Sequence, residues 1–184
     1  MDRGQQRYSN VAVTIHWLTV LLVLYNAGVM LLLSEEMSNR LIDSHKAVGI
    51  TVLFLTVLRL LWRLTHKWPP LSDEMAGWEK VLARTTHVLF YVLMFAVPLA
   101  GWLMVSAGRG DPVSWFGLFD IPALPVEQSR QTAGLFNNVH EIAAFTTIGL
   151  VLLHVAGALK NTFSDRVPGI SRMWYGQGPA RRRR

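Results

Sequence analysis

The stretch YSNVAVTIHWLTVLLVLYNAGVMLLLS, residues 8–34, contains 27 consecutive residues without Asp, Glu, Lys or Arg. A helix that crosses the hydrocarbon core of a bilayer needs about 20 predominantly apolar residues. This stretch exceeds that length, is too long for the apolar region of a cleaved signal peptide, and is followed by no small-residue cleavage site. The sequence therefore predicts a retained membrane-spanning helix.

Three further apolar stretches follow, and none alternates as a membrane β-barrel strand would. Residues 85–108 and 142–159 contain 24 and 18 uncharged residues, and residues 47–62 are interrupted only by Arg59. These stretches exclude a soluble enzyme domain and predict an all-α, integral membrane four-helix bundle with up-down-up-down topology. Pro98 lies inside the third helix and is expected to kink it. We expect one domain over residues 1–184, with helices at 11–33, 42–64, 80–105 and 138–163 and a basic tail at 164–184.

The net charge of +6 could indicate nucleic-acid binding, but the positive charges are concentrated in particular segments between the apolar stretches. Residues 1–10, 59–84 and 160–184 carry 14 of the 18 Lys and Arg residues. The positive-inside rule then places both termini in the cytoplasm. The four arginines at 181–184 are interpreted as a topology anchor near anionic lipid, and no nucleic-acid partner is predicted. The outer connection, residues 108–137, is expected to fold over the outer mouth of the bundle.

The sequence contains no cysteine. A disulfide, a thiolate haem ligand, an iron–sulfur cluster and a Cys-x-x-Cys-His haem attachment are therefore all excluded. Any metal must be bound by nitrogen, oxygen or thioether groups.

Histidines occur in or at the ends of the apolar segments, where polar groups are expensive and usually functional. With the N-terminus inside, His16 and His154 lie at one depth near the cytoplasmic side. His45 and His140 begin the second and fourth predicted helices and form an outer level. Any one of these histidines could instead be a helix-contact residue bonded to a backbone carbonyl.

The fourth predicted helix joins the two levels. His140 and His154 are 14 residues apart, which returns them to within about 40° of one direction and separates them by about 21 Å. Two imidazoles facing each other across a bundle form the axial ligand set of a haem. Structural zinc needs four ligands and di-iron sites need inward carboxylates, so both fit less well.

Three other polar residues point to the inner level. His87 could replace an axial ligand, bind a haem propionate or serve a quinone. Arg59 and Arg63 recur on the His45 side of the second helix; Arg59 is expected to serve a propionate or quinone, whereas Arg63 is expected to snorkel to the interface. His66 is interpreted as a surface histidine.

The chain resembles the bacterial cytochrome b561 family, which is related to the cytochrome b subunits of membrane hydrogenases. The resemblance is carried by an ordered series of residues along nearly the whole length: Arg7-Tyr8, His16-Trp17, His45-Lys46, Gly49, Arg59, Trp62-Arg63, Pro69-Pro70, His87, Tyr91, Pro98, Gly101-Trp102, Phe116-Gly117, Pro122, His140, His154 and Ala158-Leu159-Lys160.

This resemblance implies a four-helix bundle in the bacterial inner membrane with two haem b groups held by His16, His45, His140 and His154. It also implies electron transfer between a periplasmic reaction and the quinone pool, and some family members are superoxide oxidases that reduce ubiquinone. One departure concerns the quinone: Asn161-Thr162 stand where such proteins often carry a further histidine. Quinone reduction would then depend on Asn161, His87 or Arg59.

Three functions compete at this level. The first is a self-contained oxidoreductase that passes single electrons from a periplasmic donor, such as superoxide, to ubiquinone. The second is an electron-transfer anchor for a periplasmic dehydrogenase or hydrogenase, and the third is a haem-free membrane protein such as a transporter. The first requires a local positive mouth at the outer haem, because the outer segments are negative overall. Lys46 and Arg109 are the candidate catalytic residues for guiding the anion, and Arg40 and Arg130 would have to gather with them around the haem edge.

Overall fold

The computed structural model describes residues 7–32, 38–165 and 170–175. The predicted arginine anchor at 181–184 lies outside these residues. Four of the helices are long and apolar enough to cross a bilayer, which confirms the all-α, four-helix membrane prediction. The elements in chain order are α1 (Asn10–Leu32), α2 (Asn39–Thr65), α3 (Gly77–Gly108), β1 (Val113–Trp115), β2 (Phe119–Ile121), α4 (Arg130–Leu159), a π-helix (Lys160–Ser164) and a short 3-10 helix (Ile170–Met173).

The outer surface of the bundle is apolar. Large side chains on all four helices are more than half exposed to the surroundings, among them Leu21, Phe54, Val88 and Leu152. In water this surface would be costly, whereas in a bilayer it faces hydrocarbon of similar polarity. The small buried core and the large apolar exterior are together typical of a membrane bundle.

The four helices pack as two pairs. Helix α3 packs most extensively on α4, α1 packs on α2, and contacts between α2 and α3 join the pairs. Along the described residues, α1 and α4 approach each other much less closely. Helices α2 and α3 therefore form the contact that joins the two pairs.

Helix α4 begins earlier than the sequence predicted. It starts at Arg130 rather than at residue 138, because the Ser129 side chain caps it by accepting a hydrogen bond from the backbone N–H of Thr132 at 3.1 Å. The prediction followed apolar content and so missed the polar first turns. His140 is consequently ten residues inside α4, and His45 is six residues inside α2, which begins at Asn39. The prediction that these two histidines begin their helices was wrong.

The outer connection is shorter than predicted and contains an antiparallel hairpin of β1 and β2. Trp115 Nε1 donates to Thr51 Oγ1 on α2 at 3.0 Å, and the backbone N–H of Leu124 donates to Ser106 Oγ on α3 at 3.0 Å. Gly117 has a φ of 74° in the hairpin turn, a conformation that glycine adopts without steric cost. The hairpin is therefore held against α2 and α3.

The two ends of the described chain meet at the opposite end of the bundle. The backbone N–H of Tyr8 donates to the carbonyl of Arg172 at 3.3 Å, and Trp17 Nε1 donates to the carbonyl of Met173 at 2.7 Å. The Arg172 guanidinium also donates to the carbonyl of Pro70. The segments before α1 and after α4 therefore lie on one side of the membrane.

The charge distribution predicts that this side is the cytoplasm. A phosphatase reporter that is active only in the periplasm should be inactive when fused after Arg184 and active when inserted beside Glu127, because basic segments are retained inside. Expression of both fusions is checked by immunoblot. The reverse activity pattern would contradict the predicted orientation and move the outer histidine level to the cytoplasm.

Candidate haem sites

The outer histidines form a close pair. The rings of His45 on α2 and His140 on α4 have centroids 6.0 Å apart and an interplanar angle of 80°. With metal–nitrogen bonds of about 2 Å and roughly 1 Å from nitrogen to ring centroid, two axial imidazoles have centroids about 6 Å apart. The separation of this pair therefore fits two ligands on opposite sides of one haem iron.

Helix α3 orients the His140 ring. His140 Nδ1 lies 2.8 Å from the carbonyl oxygen of Val97, and since a carbonyl only accepts, Nδ1 is the donor. Nε2 then carries the free lone pair that a metal needs. A backbone acceptor of this kind is the usual partner of the second nitrogen in a ligating histidine.

Gly101 allows this close approach of α3 to the ring. A Cβ atom at Gly101 would lie 3.0 Å from His140 Nδ1 and 3.1 Å from Cε1, which is tighter than ordinary van der Waals contact. Glycine removes this obstacle, and buried Pro98 lies between Gly101 and the acceptor Val97 in the sequence. The segment 97–101 therefore forms the seat of the His140 ring.

The substitution Gly101→Ala is expected to weaken haem binding at the outer pair. The added methyl group must push the His140 ring away from Val97, and loss of such a supporting hydrogen bond typically costs about 10- to 100-fold in metal affinity. The measurement is haem content per chain after purification, with Gly149→Ala as the control because a Cβ there meets nothing within 4 Å. Equal haem content in both variants would contradict the proposed seat.

A second cluster lies toward the other end of the bundle. His87 on α3 and His154 on α4 have ring centroids 5.6 Å apart, and Phe90 lies edge-on to His154 at 5.4 Å. His16 on α1 lies within electrostatic range of Arg59, His154 and His87. The structure thus places His87 beside His154, and His16 lies in the electrostatic neighbourhood of both.

The arginines of α2 line this inner cluster. Arg59 lies 6.0 Å and Arg63 5.5 Å from the ring centroid of Tyr91, and Arg63 also stacks on Trp68 at 4.4 Å. The predicted snorkelling of Arg63 thus takes the form of a stack on the loop tryptophan. Among the described residues no ion pair includes Arg59. A half-buried cation without a carboxylate partner suits an anionic group of a bound cofactor.

The residues that depart from the family pattern lie in the π-helix. Asn161 and Thr162 are half-buried there, immediately after Lys160, which pairs with Glu79 on α3 at 2.5 Å and with Asp165 at 2.7 Å. The pair with Glu79 ties the inner end of α4 to the beginning of α3. A single π-turn in a helix often marks a functional site.

The remaining predicted residues are near the surface. Lys46 pairs with Asp43 at 3.1 Å, so its charge is partly neutralised, and Arg109 is exposed at the C-terminal cap of α3. His66 is exposed and stacks on Trp62, which confirms its assignment as a surface histidine.

The pairwise arrangement of these histidines fits a haem better than a metal held by protein ligands alone. Within residues 7–32, 38–165 and 170–175, no group of three or more His, Asp or Glu side chains could hold a metal ion. A haem iron needs only two protein ligands, which is the arrangement of the His45 and His140 pair. Nδ1 of both His16 and His45 is buried without a hydrogen-bond partner in the described chain. A haem bound through Nε2 would leave this cost in place, so each Nδ1 still needs an acceptor.

Known proteins are similar to this chain over most of its length. The sequence-family model described as prokaryotic cytochrome b561 matches residues 7–176. Cytochrome b561 homolog 2 of Escherichia coli (strain K12) is 30% identical over 91% of both chains, and cytochrome b561 homolog 1 of the same organism is 26% identical over 91% of this chain and 96% of its own. A probable superoxide oxidase, CybB of Yersinia pestis, is 26% identical over 84% of this chain and 88% of its own.

Family membership implies haem b and disfavours the haem-free transporter. With four membrane-spanning helices, the protein is a multi-pass protein of the bacterial inner membrane. The matched model spans both histidine levels and all four helices. The chain therefore belongs to the prokaryotic cytochrome b561 family of membrane electron-transfer proteins.

Proposed function

We propose that the protein binds two haem b groups and transfers electrons from a periplasmic one-electron donor, superoxide, to ubiquinone in the membrane. His45 and His140 hold the outer haem, and His16 and His154 hold the inner haem. Haem iron supplies reversible one-electron chemistry when bound. The observation that carries the proposal is the 6.0 Å separation of the His45 and His140 rings.

At the inner level the protein contributes charge and polar groups. Arg59 attracts a haem propionate, and Tyr91 holds the guanidinium through its ring face at 6.0 Å. His87 would be left for the propionate or quinone side, because His16 and His154 would hold the inner haem and His87 lies beside His154. Asn161 at the π-turn supplies an amide to a quinone carbonyl in place of the histidine that the family often carries.

At the outer level the protein contributes access and charge. Superoxide gives up one electron and leaves as dioxygen, and two such electrons with two protons convert a quinone to a quinol. Lys46 and Arg109 guide the anion toward the outer haem. The name of the Yersinia pestis relative, a probable superoxide oxidase, supports this choice of donor.

The runner-up function is an electron-transfer anchor for a periplasmic dehydrogenase or hydrogenase. It is favoured by the exposed apolar tip of the hairpin, where Phe116, Leu118 and Phe119 are all more than half exposed. Such a patch suits contact with another protein. The two functions differ in whether the purified chain turns over without a second protein.

The test of the proposal begins with haem stoichiometry. Purified protein is denatured in alkaline pyridine, and the haemochrome absorbance is divided by the protein concentration from amino-acid analysis. We expect two haem b per chain. One haem or none would overturn the two-site proposal, and catalytic quinone reduction by superoxide with the purified chain alone separates the first function from the anchor.

A further inference from the structure

An asparagine lies in the apolar first helix beside the outer histidine pair. Asn26 is half-buried, and its Nδ2 donates to the backbone carbonyl oxygen of His45 at 3.2 Å. It stands within the 27-residue stretch that has no charged side chain. A carboxamide at membrane depth is costly unless both its N–H groups and its oxygen are satisfied. The contact between α1 and α2 uses only the nitrogen of this amide.

Two buried atoms at this contact have no partner among the described residues: Oδ1 of Asn26 and Nδ1 of His45. Oδ1 can only accept a hydrogen bond. In a neutral histidine whose Nε2 binds a metal, Nδ1 carries the proton and can only donate. The two unpaired atoms are therefore complementary, and buried polar groups in proteins are nearly always paired.

The other ring of the pair shows what is missing at His45. His140 donates from Nδ1 to the Val97 carbonyl at 2.8 Å. No described residue forms a hydrogen bond of this geometry with Nδ1 of His45, although the main-chain carbonyl of Asn26 lies near the ring and the His45 carbonyl accepts from Asn26 Nδ2. Asn26 is therefore the residue of α1 that borders both the main chain and the ring of His45, and its Oδ1 is the unpaired acceptor at this contact.

We propose that Asn26 is the positioning residue of the outer haem. Its Oδ1 accepts the Nδ1 hydrogen of His45, which fixes the tautomer of that ring and turns Nε2 toward the iron. The inference rests on the proposed function, since it takes His45 as an axial ligand. An acceptor on Nδ1 raises the basicity of a ligating imidazole, so it stabilises oxidised iron and lowers the reduction potential of the outer haem.

The experiment compares Asn26→Leu, which removes the acceptor at similar size, with Asn26→Asp, which keeps an acceptor and adds charge. The control is Tyr25→Phe, because Tyr25 OH bonds Ser44 Oγ at 2.8 Å, one residue before each partner in the same α1–α2 contact. The first measurement is the midpoint potential of each haem by redox titration. The second is the rate of haem release to an excess of a haem-scavenging protein. The His140→Ala variant identifies the inner haem's signal.

We expect Asn26→Leu to raise the potential of the outer haem alone and to speed its release about tenfold. Asn26→Asp should lower the same potential, and Tyr25→Phe should change neither haem. Unchanged potentials in both Asn26 variants, or equal shifts of both haems, would reduce Asn26 to a helix contact. If Asn26→Leu does not accumulate in the membrane, the sign of the Asn26→Asp shift decides the question.

Failure of the proposed function is recognised separately. A wild-type protein with fewer than two haems, or a His45→Ala variant that keeps both, would remove His45 as a ligand. These outcomes are read from haem stoichiometry without any Asn26 variant.

Discussion

Purified His140→Ala protein is expected to contain about half the haem of the unmodified chain, because loss of one axial imidazole empties one of two bis-histidine sites. The His45→Ala variant should lose the same haem, since the two rings face each other at 6.0 Å. The measurement is the pyridine haemochrome spectrum together with the midpoint potential of the haem that remains. The remaining potential should be the same in both variants, because both empty the same site.

The inner level needs three variants, because three histidines meet there. His154→Ala should lose the inner haem. The haem that remains should have the midpoint potential that is absent from His140→Ala. His16→Ala is expected to match His154→Ala, whereas His87→Ala should keep both haems and shift only the inner potential. Loss of the inner haem in His87→Ala together with its retention in His16→Ala would assign the axial position to His87.

The control for these variants is His66→Ala. His66 is exposed and stacks on Trp62 at 3.6 Å outside both clusters, so its replacement should leave two haems. Full haem content in His140→Ala would refute the outer site outright. The 6.0 Å separation of the His45 and His140 rings would then not indicate a haem site.

Superoxide is expected to reduce the oxidised protein rapidly, at a rate that falls as ionic strength rises. A rate of this kind requires a local positive field at the outer mouth, and salt screens such a field. Replacing Lys46 and Arg109 together by Gln should slow the reaction severalfold, up to about tenfold. The measurement is stopped-flow absorbance of the haem after mixing with a pulse of superoxide.

The ion pair between Lys46 and Asp43 sharpens this test. Because the two charges are 3.1 Å apart, Asp43→Asn should release the positive field of Lys46 and increase the rate, opposite to Lys46→Gln. Lys67→Gln serves as the control, because Lys67 is exposed in the loop between α2 and α3. Slow, salt-independent reduction, with a periplasmic protein that co-purifies and reduces the haems, would favour the anchor function instead.

Much of the candidate site could be predicted from spacing along single helices. The 14-residue interval between His140 and His154 indicates two ligands on one face of α4, and the structure places His140 beside His45 and His154 within the inner cluster. Asn26 was missed, although an asparagine deep inside a charge-free span is a signal that could have identified it. Its importance depends on contact with His45 across two helices, and single-helix periodicity carries no such information.

The start of α4 illustrates the other limit of sequence reasoning. The apolar pattern indicates where a helix enters lipid, but the helix extends to Arg130 because the Ser129 cap and polar first turns are stable in water. The two outer histidines are therefore farther from their helix ends than the apolar boundaries suggested.

The sequence by itself determined that this is a four-helix membrane protein with histidines at two levels. Span length, apolar content and helical spacing are local properties of the chain. A long apolar segment must form a helix in the bilayer, because its backbone groups find no hydrogen-bond partners in the lipid. Only the tertiary structure decided that His87 approaches His154 and that Gly101 makes room for the His140 ring. These contacts depend on how neighbouring helices rotate and approach. Pairwise packing sets these quantities, and no single segment of sequence specifies them.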